Sequence, residues 1–271
     1  MTLPAAAPRG LRPVTMLRIA IIVVTLASWE ALSASGLLYR DVVPSLLAIA
    51  KALFDLLTVP DMPVDLSPFG LQGTASIPAI YWHLYVTFYE IAIGLLIGGL
   101  SGLVAGIALG SSRLLRQAYE PLLYYLGPCP KIIFFPVMIM WFGVGSGSKI
   151  AMGALSCFFP IAISTASGMR QIDRVLIRVG RSFRATAWQM VTKIYLPAMR
   201  QPVVNGVRLG LGVAIIGTLL AETKLSNRGI GYLIIQAYAT FDMPRMYALL
   251  IVLFVLAIGA NALLGRLSQP S

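Results

Sequence analysis

The run MRQIDRVLIRVGRSFRATAWQMVTKIYLPAMRQ, residues 169–201, is the longest polar interruption in an otherwise apolar chain. It sets Arg170, Arg174, Arg178, Arg181, Arg184, Lys193 and Arg200 against one acid, Asp173. Val175, Leu176, Val179, Phe183, Trp188, Met190 and Val191 sit between those charges. Arg178, Arg181 and Arg184 recur every third residue, and Val179, Phe183 and Met190 recur at spacings of four and seven. That pattern predicts one or two short amphipathic helices, closed off by Pro197 and Pro202. A loop that only fixes membrane orientation needs Lys and Arg and nothing more. Phe183, Trp188 and Met190 add the side chains that interface cores favour, so a docking surface for a soluble partner is the fuller reading.

The rest of the chain says what that loop interrupts. Of its 271 residues 58% are hydrophobic and only 11% are charged, with a mean hydropathy of +0.84. A soluble domain carries about 25% charged residues, so the composition belongs to a chain solvated by lipid. The net charge of +11 would suit nucleic acid, but the basic residues follow a membrane pattern and no nucleic-acid partner is expected. Cys129 and Cys157 lie in apolar runs and read as small apolar residues. His83 has no metal-ligating neighbours in sequence, so no metal site is expected.

Six spans follow from the apolar runs. Residues 1–15 read as a cytoplasmic tail. The first transmembrane helix falls within 16–40, with Trp29 and Glu30 inside it; the run is too long for a cleaved signal peptide. Residues 41–80 form an external segment with an interfacial helix from Pro44 to Leu57. The core runs over 81–266, and 267–271 is a C-terminal tail. Within the core, the second span (Trp82 to Leu109) carries Gly94, Gly98, Gly102, Gly106 and Gly110 on one stripe. In lipid, such a stripe predicts a neighbour at close backbone approach, with Leu103 on the lipid-ward side. The third span (Ala118 to Phe142) is broken by Pro121, Pro128, Pro130 and Pro136 around Lys131. Breaks of this kind survive where protein or a water cavity shields the backbone. The fourth (Ile150 to Gly168), fifth (Val203 to Glu222) and sixth (Met246 to Leu264) complete the set. The fifth repeats a small-residue stripe at Gly206, Gly210, Ala214 and Thr218. Inside segments hold Arg9, Arg12, Arg18, Arg113, Arg116, Arg208, Arg266 and the basic loop. The fewer remaining cations, among them Arg40, Lys51, Lys149, Lys224, Arg228 and Arg245, lie outside or within spans, which predicts both termini inside.

Embedded ionisable groups are pathway candidates by default: Glu90, Lys131 and Glu222. For Glu90 a paired or snorkelling carboxylate stands beside a pathway or gate role. Glu222 is expected near the end of the fifth span, facing protein, because a charge turned to lipid at depth costs about 2.5–3.5 kcal/mol.

Residues 178–197 resemble the coupling-loop signature of ABC importer permeases: Glu-Ala-Ala, three residues, Gly, nine residues, Ile-x-Leu-Pro. The end matches at Ile194, Leu196 and Pro197. The start departs, with Arg178, Val179 and Gly180 for Glu-Ala-Ala and Arg184 for the Gly. The flanks LPAMRQPVVNGVRLGLG (196–212), Ala221-Glu222, GIGYLI (229–234), WFGVGSGSKI (141–150) and FFPI (158–161) resemble the nitrate/sulfonate/taurine branch of that family. The resemblance covers roughly residues 80–265.

The resemblance implies an all-α membrane protein with the ABC importer type I permease fold, set in the inner (plasma) membrane. It implies a second copy of the chain, two cytoplasmic ATP-binding subunits and an external solute-binding protein. ATP and Mg would be held by those partner subunits, since no GxxxxGK[ST] phosphate loop occurs here and no cofactor is expected in this chain. ATPase coupling falls to Arg178, Arg181, Ser182, Phe183, Arg184, Ala185, Trp188, Gln189, Ile194, Leu196 and Pro197. The solute would be a small anion such as nitrate, sulfonate, taurine or an aromatic carboxylate. The alternative is an ion-coupled secondary carrier, which the missing internal repeat and few embedded acids disfavour. Neither paired carboxylates for catalysis nor a nucleophile with its base is evident, so an enzyme is not expected.

Overall fold

The computed structural model describes residues 13–36, 42–65 and 74–268. Arg9, Arg12 and Arg40, residues 1–12 of the expected tail, the end of the first span at 37–40 and residues 269–271 lie outside them. Five described helices are long and apolar enough to cross a membrane, and a bent pair raises the number to six.

The axis of the molecule is α6 (Ser146–Gln171), with α3 (Ala79–Ser111) along one side and α10 (Arg200–Lys224) along another. The expected glycine stripe of α3 is the seam. A Cβ on Gly102 would come within 2.7 Å of the Phe158 carbonyl oxygen and 3.2 Å of Ile161 Cβ, and one on Gly98 would collide with the Ala154 carbonyl. Gly94, Gly106 and Gly110 likewise face α6. The second stripe packs in the same way: a Cβ on Gly206 would meet Ser164 Cβ at 2.8 Å, and Ala214 is fully buried. Two apolar helices gain nothing from hiding from lipid, so close backbone contact supplies the attraction. Leu103 corrects the expectation. It packs on the cluster of Met169, Ile172 and Met199, while Leu100 is the outward residue.

At one end, α2 (Leu46–Thr58), α11 (Ile230–Ala239) and α12 (Met243–Ser268) gather around Leu56, Ile80, Leu233 and Leu249. The expected interfacial helix is α2, started by Ser45, whose hydroxyl accepts from Ala48 N. The neighbouring loop contains an unanticipated antiparallel hairpin, β1 (Met62–Asp65) with β2 (Thr74–Ile77). Asp61 anchors it, accepting from Ala79 N and pairing with Arg245 at 3.5 Å. The first helix, α1 (Pro13–Ser35), buries none of its span in protein. Among the described residues its ties gather at one end: Trp29 Nε1 to the Pro44 carbonyl (3.0 Å), Ser33 to the Val43 carbonyl (2.9 Å) and Leu46 N to Glu30 (2.9 Å).

The third expected span is two pieces. α4 (Arg113–Leu126) is followed by a 3-10 turn at Lys131–Phe134 and α5 (Phe135–Phe142), with a bend of 97° between them. Pro128 and Pro130 withdraw backbone donors where the bend falls. α4 is tied to the end of α6 by the Arg170–Glu120 ion pair.

Replacing Gly102 by Leu forces α3 off α6 and should abolish accumulation of folded protein in the membrane. Leu100→Phe, on the outward face, should be tolerated. Comparing the two by fluorescence-detected size exclusion from membranes tests the seam; equal yields would exclude it.

Candidate functional site

The polar run leaves α6 and returns as α10, and its local chemistry makes it rigid. Asp173 accepts from Val175 N at 2.8 Å and starts α7 (Arg174–Ser182). That acceptor serves one of the unpaired N–H groups at a helix start. Arg184 then takes φ +52, the left-handed conformation in which a helix commonly ends and for which Gly is the usual residue. Its N–H donates to the Arg181 carbonyl (2.9 Å), and Ala185 N donates to the Gly180 carbonyl (3.0 Å). The next helix opens on a reciprocal cap: Thr186 N donates to Gln189 Oε1 at 2.9 Å, and Gln189 N donates to Thr186 Oγ1 at 3.3 Å. This α8 (Ala187–Gln189) runs into a π-helical segment, Met190–Tyr195, and then α9 (Leu196–Ala198), with Pro197 in its first turn.

The signature residues divide into anchors and surface. Gly180 is buried, and a Cβ there would lie 2.6 Å from Met190 Sδ and strike Ile194. Tyr195 and Leu196 pack on Met169, Ile172 and Met199 at the ends of α6 and α10. Tyr195 and Leu196 therefore fix the loop to the bundle, while Ile194 packs within the loop on Gly180. Facing out are Phe183, 83% exposed, and Trp188, 74% exposed, with Val175, Leu176 and Val179 beside them. Arg178, Arg181, Ser182 and Arg184 are exposed on the same loop. The loop thus presents both apolar and cationic side chains on a hydrogen-bonded support.

At the opposite end of α6 lies a buried polar node. Glu222 is 1% exposed. Its Oε1 accepts from Thr87 Oγ1 and its Oε2 from Gly231 N, both at 2.7 Å. Thr87 Oγ1 accepts from Ile230 N (2.8 Å), and His83 Nδ1 accepts from Gly229 N (3.0 Å). Three successive N–H groups at the start of α11 are thus satisfied by His83, Thr87 and Glu222. Gly229 has φ +96, and a Cβ on it would strike the Glu222 carboxylate. Lys149, fully buried, donates to the carbonyls of Val144 and Leu225, the latter at 2.5 Å. Glu90, 1% exposed, belongs to the same node, beside Ser146, Lys149 and Glu222. Lys131 stands apart: its Nζ donates to the Gly127 carbonyl and lies 5.1 Å from the centre of the Phe159 ring. No group of three or more metal-ligating side chains occurs among the described residues.

A family model for the "Binding-protein-dependent transport system inner membrane component" matches residues 84–269. The chain belongs to that family. The putative aliphatic sulfonates transport permease protein SsuC of Bacillus subtilis is 31% identical over 232 residues, 86% of this chain and 78% of that protein. The taurine transport system permease protein TauC of Escherichia coli is 30% identical over 203 residues, 73% of this chain and 74% of its own length. The nitrate import permease protein NrtB of Synechococcus elongatus is 28% identical, covering 90% of this chain and 86% of that one. Among solved structures, an inward-facing MetNI methionine ABC transporter has a chain that superposes with a TM-score of 0.62 at 20% identity. That match covers 71% of this chain and 97% of that one, and shows a shared fold.

This inner membrane component is an ABC permease of the nitrate, sulfonate and taurine branch, as its motifs imply. The ion-coupled carrier is set aside. Two of the three embedded candidates, Glu90 and Glu222, meet in one node, and the third, Lys131, does not join them. Glu222 faces protein, as its cost in lipid requires. Sequence reasoning passed over His83, Thr87 and Lys149. For the first two a signal existed: His83, Thr87, Glu90 and Gly94 follow at steps of four, three and four, so the polar stripe runs into the glycine stripe. For Lys149 the surrounding glycines and serines looked like an exposed loop.

Two outcomes follow from the loop and the node. Arg184→Gly should stabilise the turn after α7 by about 1 kcal/mol, because Gly carries no left-handed penalty, whereas Arg184→Val should weaken it. Amide exchange across 178–187 reads both. Glu222→Ala leaves Gly231 N–H and the Thr87 hydroxyl unpaired and should cost about 2–6 kcal/mol, at about 1–3 kcal/mol per orphaned group. Thermal unfolding in detergent checks it; unchanged stability would exclude the capping role.

Proposed function

We propose that this permease forms half of a translocation pathway for a small solute. A second copy of the chain supplies the other half, two cytoplasmic ATP-binding subunits drive it, and an external binding protein delivers the solute. ATP and Mg are held by the ATP-binding subunits. Both termini and the loop at 169–201 lie on the cytoplasmic side, in keeping with the concentration of Arg and Lys there. The solute is a small anion of the kind named for the relatives, such as nitrate, a sulfonate or taurine.

The observation that carries this reading is the exposure of Phe183 and Trp188, at 83% and 74%, on a loop whose caps and anchors leave it little freedom. Large aromatic side chains held in water by a rigid support are what a partner's groove can recognise without ordering cost. The departures from the usual signature are compatible with docking. Gly180 allows close packing of Met190 and Ile194, and Arg184 keeps the turn that Gly would make. Closure of the ATP-binding subunits would push on α7 and α8. Tyr195 and Leu196, packed on the ends of α6 and α10, would pass that motion to them as a rigid-body movement.

Phe183→Ala and Trp188→Ala should each weaken capture of the ATP-binding subunit by about thirtyfold, the equivalent of about 2 kcal/mol, and uncouple hydrolysis from uptake while the membrane fold persists. Arg181→Ala at the rim should have a smaller, salt-sensitive effect. Pull-down and solute uptake on these variants in membranes decide it: full partner binding and uptake in both aromatic variants would return the loop to an orientation signal.

A further inference from the structure

Gly206, Gly210 and Gly217 of α10 all press against α6, but a Cβ on Gly212 would meet nothing within 4 Å. Gly212 lies instead in an apolar groove of about 370 Å³ between α10 and α12. Leu211 and Ile215 line it on one side, and Phe254, Ala257 and Asn261 on the other. Leu211 and Ile215 are also buried against Ile91 of α3, with Leu95 and Ala257 packed on the same cluster. The floor of the groove is therefore held by the central bundle.

Both walls turn polar at the end of the bundle that carries the basic loop. On α10 the stripe of Ile215, Gly212 and Leu211 continues at helical spacing to Arg208 and Asn205. On α12 Ala257, Asn261 and Gly265 follow at steps of four. A Cβ on Gly265 would lie 3.5 Å from Arg208 Nη2, so the guanidinium reaches from α10 across the mouth of the groove to α12. Arg208 is half-buried and Asn205 is exposed. The Arg208 backbone is eight residues, about 12 Å, inside the start of α10. Its side chain points back towards the helix end, to a residue close to Ser268 at the end of α12. A long basic side chain in this position carries its charge to the depth of lipid headgroups.

We propose that the groove between α10 and α12 binds one anionic phospholipid, with its phosphate on Arg208 and Asn205 and an acyl chain laid along Gly212 and Ala257. The guanidinium fork matches a phosphate, and basic pockets between membrane helices are recurrent headgroup sites. Charge also decides against α1 of a second copy, whose span is likewise unburied. Trp29 and Ser33 tie one end of α1 beside α2, so its other end carries the exposed Arg18 towards the loop end of the bundle. In a second copy of the same orientation, that end would set a cation against the Arg208 guanidinium. A phosphate neutralises it. The site needs only the chain's place in an inner membrane and is independent of the solute and of the ATP-binding subunits.

Dioleoylphosphatidylglycerol and dioleoylphosphatidylcholine share their chains and phosphate and differ in net charge. The full-length chain in detergent is titrated with each, and bound lipid is counted by native mass spectrometry. The unaltered protein should hold one phosphatidylglycerol about fivefold more tightly than phosphatidylcholine, as one arginine at a headgroup requires. Arg208→Gln should bring the two within about twofold. Gly212→Leu fills the groove where no neighbouring helix touches. It should weaken both lipids about tenfold, as displacing about two methylenes requires, and it keeps the test decisive if Arg208→Gln misfolds. Glycerol 1-phosphate, a headgroup without chains, should not displace the lipid. Equal binding of the two lipids, an unchanged preference in Arg208→Gln, full lipid binding in Gly212→Leu or displacement by glycerol 1-phosphate overturns the proposal. A dimer of the unaltered chain that Gly212→Leu abolishes also overturns it and gives the groove to α1 of a second copy.

Discussion

Backbone contact between α3 and α6 is the constraint on which the rest of the molecule depends. Its glycines bring one helix against the carbonyls of the other over most of the length of α3, and α10 does the same on another side. In lipid there is no hydrophobic reward for this pairing, so it holds by dispersion at short range, which fails steeply once a gap opens. A helix seated so closely has little room to slide or rotate alone. The three helices therefore move as a block, and both ends of α6 report on the same rigid body. At one end that body carries the braced loop with Phe183 and Trp188. At the other it carries the node of Glu90, Lys149 and Glu222.

The loop shows how a signature can change in letters and keep its geometry. Arg184 occupies a position whose backbone favours Gly, and the turn survives because the hydrogen bonds from Arg184 and Ala185 to α7 are made by the main chain. The penalty is of the order of 1–2 kcal/mol, small against the packing of Ile194, Leu196 and Tyr195. Gly180 stands where the signature has Ala, and the space it leaves is filled by Met190 and Ile194.

Much of this was legible in the sequence because its causes are local or periodic. The glycine repeat announces a seam, the spacing of apolar and basic residues over 169–201 announces short helices, and the prolines at 128 and 130 announce a break. What periodicity could not supply was the partner across the seam, the 97° bend, or the side of α3 on which Leu103 falls. The node was the least legible part, since Thr87 meets Glu222 across 135 residues. A stripe of His83, Thr87 and Glu90 can be read as polar, but its partners are backbone N–H groups of a helix far along the chain. Lys149 illustrates the same limit: a lysine among glycine and serine looks exposed, and only the fold buries it.

That buried lysine bears on how the protein is made. Lys149 reaches the membrane with α6, but Leu225 lies 76 residues downstream, and Glu222 arrives with the same late helix. While α10 is still in the ribosome, α6 carries a cation whose second carbonyl does not yet exist, and Thr87 waits for its carboxylate. The central bundle therefore cannot close progressively from the N-terminus. A nascent chain stopped short of residue 222 holds Lys149 by the Val144 carbonyl alone, so the node is complete only once α10 has joined α3 and α6.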